Sequence, residues 1–454
     1  MSTLTREGRS AVLRSEKDLE YYFHAFAKPR ECIRVGIEAE FFPVNRKTGR
    51  AAAYEGPSGV HELLKAMARK LGYKAVLEEG NIIALQKGEQ QITLEPGGQM
   101  ELSAPPVFNV FEIEEQIRIF LDELKTLQKD FPEVTWIASG FHPFSKLEET
   151  AWVPKKRYEI MAERFKTRGA LSREMMRRTA TNQINVDYTS EENAMASLRT
   201  ALGLTSIVSA LFANSCFTEG KPNGFLSCRM EVWNQMDPDR SGLIVEFTKP
   251  GKKFSDYLEY LLNMPMIFIL RERNWIPVEG LRFRDFIKRG YQGLQATLGD
   301  FELHLSAAFP EVRLKQYLEI RGADCQRPEL IPSVAAFWKG ILYDAEIQKK
   351  AWSLVAFASE KERLNLHSSI AGQGLRAMLG GKPILPIAQE LAELACEGLG
   401  KQKKAPDSKN ECVFIERIRK FAQAGKSPAD FLLEDWKTEL KEDPQALLRR
   451  LSIV

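Results

Sequence analysis

Four segments of this chain read as strands that put acids and amides on one face and apolar side chains on the other. Successive side chains on a strand point to opposite faces. In VGIEAEFF, Glu38 and Glu40 share one face, while Val35, Ile37, Ala39 and Phe41 share the other. In ITLEPGGQMELS, Glu95 and Glu101 differ by an even number across a Pro-Gly-Gly turn. In NQINVDY, Gln183, Asn185 and Asp187 alternate with Ile184, Val186 and Tyr188. In YLEIRG, Glu319 and Arg321 alternate with Leu318 and Ile320. An antiparallel sheet can turn one polar face to water. Here that face is rich in Glu, Asn and Gln, and Glu is not a favoured strand residue. Two carboxylates ~4 Å apart in a medium of effective dielectric near 20 repel by roughly 4 kcal/mol. A face that gathers several of them therefore calls for cations.

The set is made of hard oxygen donors, which suits Mg²⁺. Zinc would ask for His and Cys, and none of the five histidines sits in a HExxH-like array. Carboxylates, Mg²⁺ and Arg together point to phosphoryl transfer. No GxxxxGK[ST] loop and no kinase catalytic loop occurs. The glycine-rich AGQGLRAMLGGKP is read as a helix end and turn. A bound nucleotide would then be held by metal and sheet.

The rest of the chain supports an α+β fold: a mainly antiparallel sheet covered by helices. RVGIEAEFFPVN, VTWIASG, QINVDY, GLIVEFT and MPMIFIL read as strands, and VRLKQYLEIRG ends in one. NVFEIEEQIRIFLDELKTLQKDF is an amphipathic helix with a stripe of Ile113, Ile117, Phe120, Leu121, Leu124 and Leu127. AMASLRTALGLTSIVSALFANS is a largely buried helix. After IPSVAAFWKGILYD the chain is mostly helical, and GKQKKAPDSKN reads as a charged, solvated linker. The expected division is one catalytic unit over residues 1–400 with a helical segment, 401–454, packed on it.

A net charge of +3 with mixed signs leaves no basic stripe for nucleic acid. Purely apolar runs fall short of the ~20 residues of a membrane-spanning helix. The six cysteines, Cys32, Cys216, Cys228, Cys325, Cys396 and Cys412, show no CxxC spacing and are read as mostly reduced core residues, with a redox-sensing pair as the alternative. MSTLTREGRSAVLRSEKD has no apolar h-region. A cytoplasmic protein is expected.

The ordered segments GIEAEFF, ITLEPGGQMELS, RYEIM, RRTATNQINVDY, LFANSCFTEGKPNGFLSCRMEVW, DPDRSG, FPEVRLKQYLEIRGAD and VAAFWKGILYD resemble glutamate–cysteine ligase of the plant and proteobacterial type, from about residue 34 to 345. The resemblance implies a glutamine-synthetase-like catalytic fold, a curved sheet forming an open funnel. It implies ATP-dependent joining of the L-glutamate γ-carboxylate to the L-cysteine amine through a γ-glutamyl phosphate, the first step of glutathione synthesis. Glu38, Glu40, Glu95, Glu101, Asn185 and Glu319 fall at its Mg²⁺ positions. Arg321 matches an arginine that meets phosphate and, with Glu319, carries the catalytic role. Arg229 and Trp233 match its glutamate-binding segment, with Arg178, Thr181 and Gln183 at further substrate contacts. Plant relatives also use disulfide pairs for redox control, one tied to dimerisation, and Ala180 stands where a plant cysteine is expected. Monomer and homodimer both remain open. The rival readings are a ligase of the same fold with another amine acceptor, and a metal- or nucleotide-sensing protein that kept the scaffold.

Overall fold

The computed structural model describes residues 10–402 and 409–454. Most of the GKQKKAPDSKN linker, and the first nine residues of the N-terminal stretch, lie outside the described residues.

Nine strands form the main sheet: β1 (Val35–Asn45), β2 (Lys74–Glu78), β3 (Asn81–Lys87), β4 (Gln90–Leu94), β5 (Met100–Ser103), β6 (Val134–Ile137), β7 (Asn182–Val186), β8 (Val312–Leu314) and β9 (Leu318–Ile320). Their order is β8-β9-β7-β1-β5-β4-β3-β2, and every pairing is antiparallel. β6 joins the far end of β1, pairing Phe42 with Ile137 through Asn45 with Val134. The expectation of a mainly antiparallel sheet under helices is met.

The alternation in the sequence becomes two faces. Val35, Ile37, Ala39 and Phe41 of β1, Ile184 and Val186 of β7, and Leu318 and Ile320 of β9 are fully buried. They pack with the helices Val110–Gln128 and Ile331–Leu342, and Glu191–Leu211 covers β8 and β9. Asn109 caps the first of these, its side chain accepting from Glu112 N at 3.1 Å. Its predicted stripe is buried, with Leu121 half-buried. Glu191–Leu211 is long and apolar enough to cross a membrane, but 89% of its most apolar window is buried inside the protein. An apolar helix wrapped by other elements belongs to the core.

Three local expectations change. GLIVEFT forms a 3-10 turn at Val245–Thr248 rather than a strand. In MPMIFIL only the end is extended, as Phe268–Arg271 paired with Asn274–Pro277. Apolar runs this short carry no periodicity of their own, so packing decides their shape. Among the cysteines, Cys396 of the helix Ile384–Lys401 is disulfide-bonded to Cys412, with Cα atoms 4.9 Å apart. Of the free four, Cys32 is exposed and Cys228 half-buried. The reading of cysteines as reduced core residues thus holds only for Cys216 and Cys325. Sixteen residues separate the bonded pair, and only the fold brings them together.

The last residues close onto the sheet. Ile453 N donates to Trp136 O at 2.9 Å, and Thr135 Oγ1 to Val454 O at 2.8 Å.

Candidate active site

The polar face of the sheet lines a cleft of about 850 Å³. Register puts its acids there. Glu40 stands directly opposite Glu101 across β1 and β5, and Glu38 opposite Gln183 across β1 and β7. Glu319 of β9 faces Asn185 on one side and Arg313 of β8 on the other. Glu95 follows β4, two residues beyond Thr93, which pairs with Glu101. All of these lie on one face because each differs from its strand neighbours by an even number.

The turn between Glu95 and Gln99 explains the Pro-Gly-Gly. Gly98 N donates to Glu95 O at 2.9 Å, and Gly98 has φ +83°. Gly97 instead serves close approach: a Cβ there would fall 2.7 Å from Arg177 Cα. One glycine is needed for its dihedral and the other for its missing side chain.

These acids are not a solvated surface. Glu101 is 3% exposed and Glu319 1%. Burial, with Glu95 and Glu101 close by, drives the Glu40 carboxyl well above the usual carboxylate range. Burial, Glu38 and Glu95 push Glu101 up to about 7, although it accepts hydrogen bonds from Thr93 Oγ1 at 2.7 Å and Ser103 Oγ at 3.0 Å. Glu40 accepts from Thr181 N at 3.1 Å and Gln183 Nε2 at 3.4 Å; Glu38 accepts from Asn185 Nδ2 at 3.1 Å. Asn185 Oδ1 is buried with no partner among the described residues.

Across the cleft the protein supplies its own cations. Glu319 accepts from Arg313 Nε at 2.7 Å and Arg321 Nη1 at 2.9 Å on one oxygen, and from Lys315 Nζ at 3.2 Å on the other. Burial alone would raise its pKa, but these three cations hold it well below the usual range. Arg321 also donates to Gln183 Oε1. Its guanidinium lies 5.7 Å from the centre of the Trp233 ring, and that of Arg229 lies 5.5 Å from it. Arg229 donates to Arg321 O at 2.7 Å and Gly322 O at 3.1 Å. Trp233 Nε1 is buried without a partner among the described residues. Thr181 Oγ1 donates to Ala323 O at 2.6 Å.

Nearly every residue expected at the site therefore meets here. Asn185 stands beside Glu38 but does not itself line the cleft, and Arg178 does not line it either: Arg178 pairs with Glu174 at 3.1 Å and stacks on Phe141 at 4.4 Å. It sits at the end of a short helix, where the following residues turn into β7 without it. Glu319, expected as a metal ligand, has both oxygens engaged by protein cations and serves as the anchor of three basic groups.

Sequence reading missed three cations. Arg313 and Lys315 precede Glu319 and Arg321 at the same period of two, and a hairpin would put them on its face; that spacing was the available signal. Lys155 lies in a loop with no periodicity. Its Nζ donates to Leu94 O at 2.6 Å, and burial lowers its pKa to about 8 despite Glu95 and Glu101.

The donor set fits a hard divalent cation. Glu38, Glu40, Glu95 and Glu101 offer only oxygen, burial among neighbouring acids raises the Glu40 and Glu101 carboxyls, and Asn185 Oδ1 has no partner among the described residues. Among the described residues no three carboxylates, histidines or cysteines are close enough to enclose an ion by themselves. An ion here would take its other ligands from phosphate and water, as Mg²⁺ commonly does.

A family model described as Glutamate-cysteine ligase family 2 matches residues 34–449. Chloroplastic glutamate–cysteine ligase of Nicotiana tabacum is 36% identical over 92% of this chain and 79% of its own length. Chloroplastic glutamate–cysteine ligase B of Oryza sativa is 33% identical over 96% and 87%. A crystal structure of glutamate–cysteine ligase from Francisella tularensis in complex with AMP has the same fold at 12% identity, with a TM-score of 0.55 over 92% of this chain and 88% of that one. The plant relatives, that of Arabidopsis thaliana included, are named chloroplastic, and this overturns the cytoplasmic expectation. The spacing of the cysteines in the sequence does not separate cytosol from plastid.

Proposed function

This chain belongs to glutamate–cysteine ligase family 2, and from that premise we propose that it joins the γ-carboxylate of L-glutamate to the amine of L-cysteine with ATP, giving γ-glutamylcysteine. The observation that carries the reading is the opposition of charges in one cleft: Glu38, Glu40, Glu95 and Glu101 along one stretch, Arg313, Lys315 and Arg321 around Glu319 along another.

Glu38, Glu40, Glu95 and Glu101, with Asn185, would hold Mg²⁺. Bound there, it would neutralise phosphate oxygens and offset the repulsion among the acids. An oxygen of the glutamate γ-carboxylate attacks the terminal phosphorus of ATP. The new O–P bond forms as the bond to ADP breaks. Arg321 donates to the equatorial oxygens of the group in flight, where charge spreads. Glu319 fixes the direction of Arg321 and keeps Arg313 and Lys315 beside it. The cysteine nitrogen then attacks the carbonyl carbon of the γ-glutamyl phosphate. The C–N bond forms, the C–O bond to phosphate breaks, and the amine loses a proton. Arg229 and the free Trp233 N–H receive the glutamate α-carboxylate; each Nη of Arg229 keeps a second N–H beyond the one given to backbone. Thr181 and Gln183 tie the strand ends together behind them.

The test is phosphate release from ATP with glutamate and a panel of amines, with and without Mg²⁺. Stimulation by cysteine that needs Mg²⁺ is the expected result. No stimulation by cysteine, with another amine active, would transfer the chain to a different acceptor.

A further inference from the structure

A second cleft, of about 460 Å³, shares no lining residue with the first. Arg199 from the helix Glu191–Leu211, Lys249, Trp352 and Arg363 from the helix Glu360–Gln373 line it. The two guanidinium groups stack on the same indole: Arg199 Cζ is 4.8 Å and Arg363 Cζ 5.0 Å from the Trp352 ring centre. Neither makes an ion pair with a carboxylate among the described residues. Arg363 is only 4% exposed. Its Nη2 donates to Val355 O at 2.6 Å, while among the described residues neither Nη1 nor Arg199 Nε has a partner.

The acids nearby are committed elsewhere. Glu362 turns back to cap its own helix, accepting from Ser359 N and Ser359 Oγ at 2.7 Å. Glu360 pairs with Lys249 at 2.7 Å. Three cations thus border the cleft against one acid. Stacking on indole stabilises a guanidinium by less than burying an unpaired charge costs. An oxyanion bound by the two groups would offset that difference. Two guanidinium groups with no carboxylate partner among the described residues match a phosphate group, which accepts paired N–H bonds from arginine.

We propose that this cleft is a phosphate-binding site separate from the active site, taking either inorganic phosphate or the phosphate group of a small monoester at Arg199 and Arg363. The site asks for a tetrahedral, doubly charged group of limited size.

Calorimetric titration of the full chain at fixed ionic strength tests this, with inorganic phosphate in one arm and glycerol phosphate in the other. The measurement is made in an Arg321→Ala background, where phosphate binding in the active site is weakened, and only binding that Arg199→Gln changes is assigned to this cleft. Saturable binding of one equivalent is expected, and Arg199→Gln or Arg363→Gln should weaken it at least tenfold. The arm that binds more tightly identifies free phosphate or a monoester as the ligand. Arg363 also holds a backbone carbonyl, so Arg199→Gln, whose side chain is half-buried, carries the test if Arg363→Gln does not fold. Binding unchanged by Arg199→Gln, or none in either arm, would overturn the site.

Discussion

Glu40 and Glu101 face each other across two neighbouring strands, where opposed Cβ atoms lie about 4.5–5.5 Å apart. Without a cation between them this pairing is a loss, and it appears as carboxyl groups that hold their protons far above the usual range. A cation bound between the acids would offset the loss. Glu101→Gln keeps both hydrogen-bond acceptor geometry and volume while removing one charge. It is therefore expected to leave the metal-free protein as stable as the parent or more so, and to lower Mg²⁺-dependent turnover by about 10²–10³-fold, the usual cost of deleting one element of charge stabilisation. Urea unfolding and steady-state turnover on the same preparations check both halves. A variant that lost stability and kept its turnover would remove Glu101 from the metal set. Arg229 reads differently in the structure than in the sequence. Its matched segment implied a substrate clamp, and its guanidinium also holds the carbonyls of Arg321 and Gly322, so it shapes the loop it was expected only to border.

At the level of elements, the hairpin β4–β5 depends on a turn that must pass against the helix Ser172–Arg178. Gly97 makes that passage: its missing side chain leaves the backbone in contact with Arg177. Gly97→Ala is expected to cost about 1–3 kcal/mol through overpacking and to shift Glu95 at the start of the turn, so that the apparent Mg²⁺ requirement rises along with the loss of stability. Denaturant unfolding and a Mg²⁺ titration of turnover read the two effects, and a Gly97→Ala protein as stable as the parent would show that the helix can yield. The hairpin β8–β9 makes the complementary point. Its alternation was legible for Glu319 and Arg321, and the same alternation extended back to Arg313 and Lys315 once the turn at Lys315–Tyr317 closed the pair. Lys155 had no such signal. Its position comes from the loop that leads into the helix Lys156–Phe165, and no periodicity in the sequence records which carbonyl it meets.

For the molecule as a whole, buried ionisable groups set how stability responds to acid, and they pull in two directions. His142 is fully enclosed, with Nδ1 accepting from Ser145 N at 3.0 Å and its ring against Phe42. Burial, with Arg178 nearby, lowers its pKa to about 3. In the unfolded chain an ordinary histidine takes its proton near pH 6.5. Between those values the unfolded state binds the proton and the native state does not, so stability from this group is intact above pH 6.5 and is lost as pH falls toward 3. Glu101, with its pKa raised to about 7, has the opposite sign: between about 4.5 and 7 the native state is the one that binds the proton. The parent slope mixes these, but a His142→Asn variant isolates the first. Between pH 6 and pH 4 the stability of the parent should fall relative to that of the variant by about 1.4 kcal/mol per pH unit, one proton's worth; equal slopes would mean that His142 is protonated inside the fold. What the sequence alone determined is the two-faced character of the strands and the chemistry of the polar face, because a period of two is local and every strand carries its own copy of it. Only the tertiary structure decided which acids oppose which, that Glu319 is claimed by three protein cations, that Arg178 is turned away, and that Cys396 meets Cys412. Strand order and register, which set the opposed acids, arise from packing between segments far apart in the chain, while the contacts around Glu319, Arg178 and Cys396 depend on how the hairpin, helix ends and loops close, which no single periodicity records.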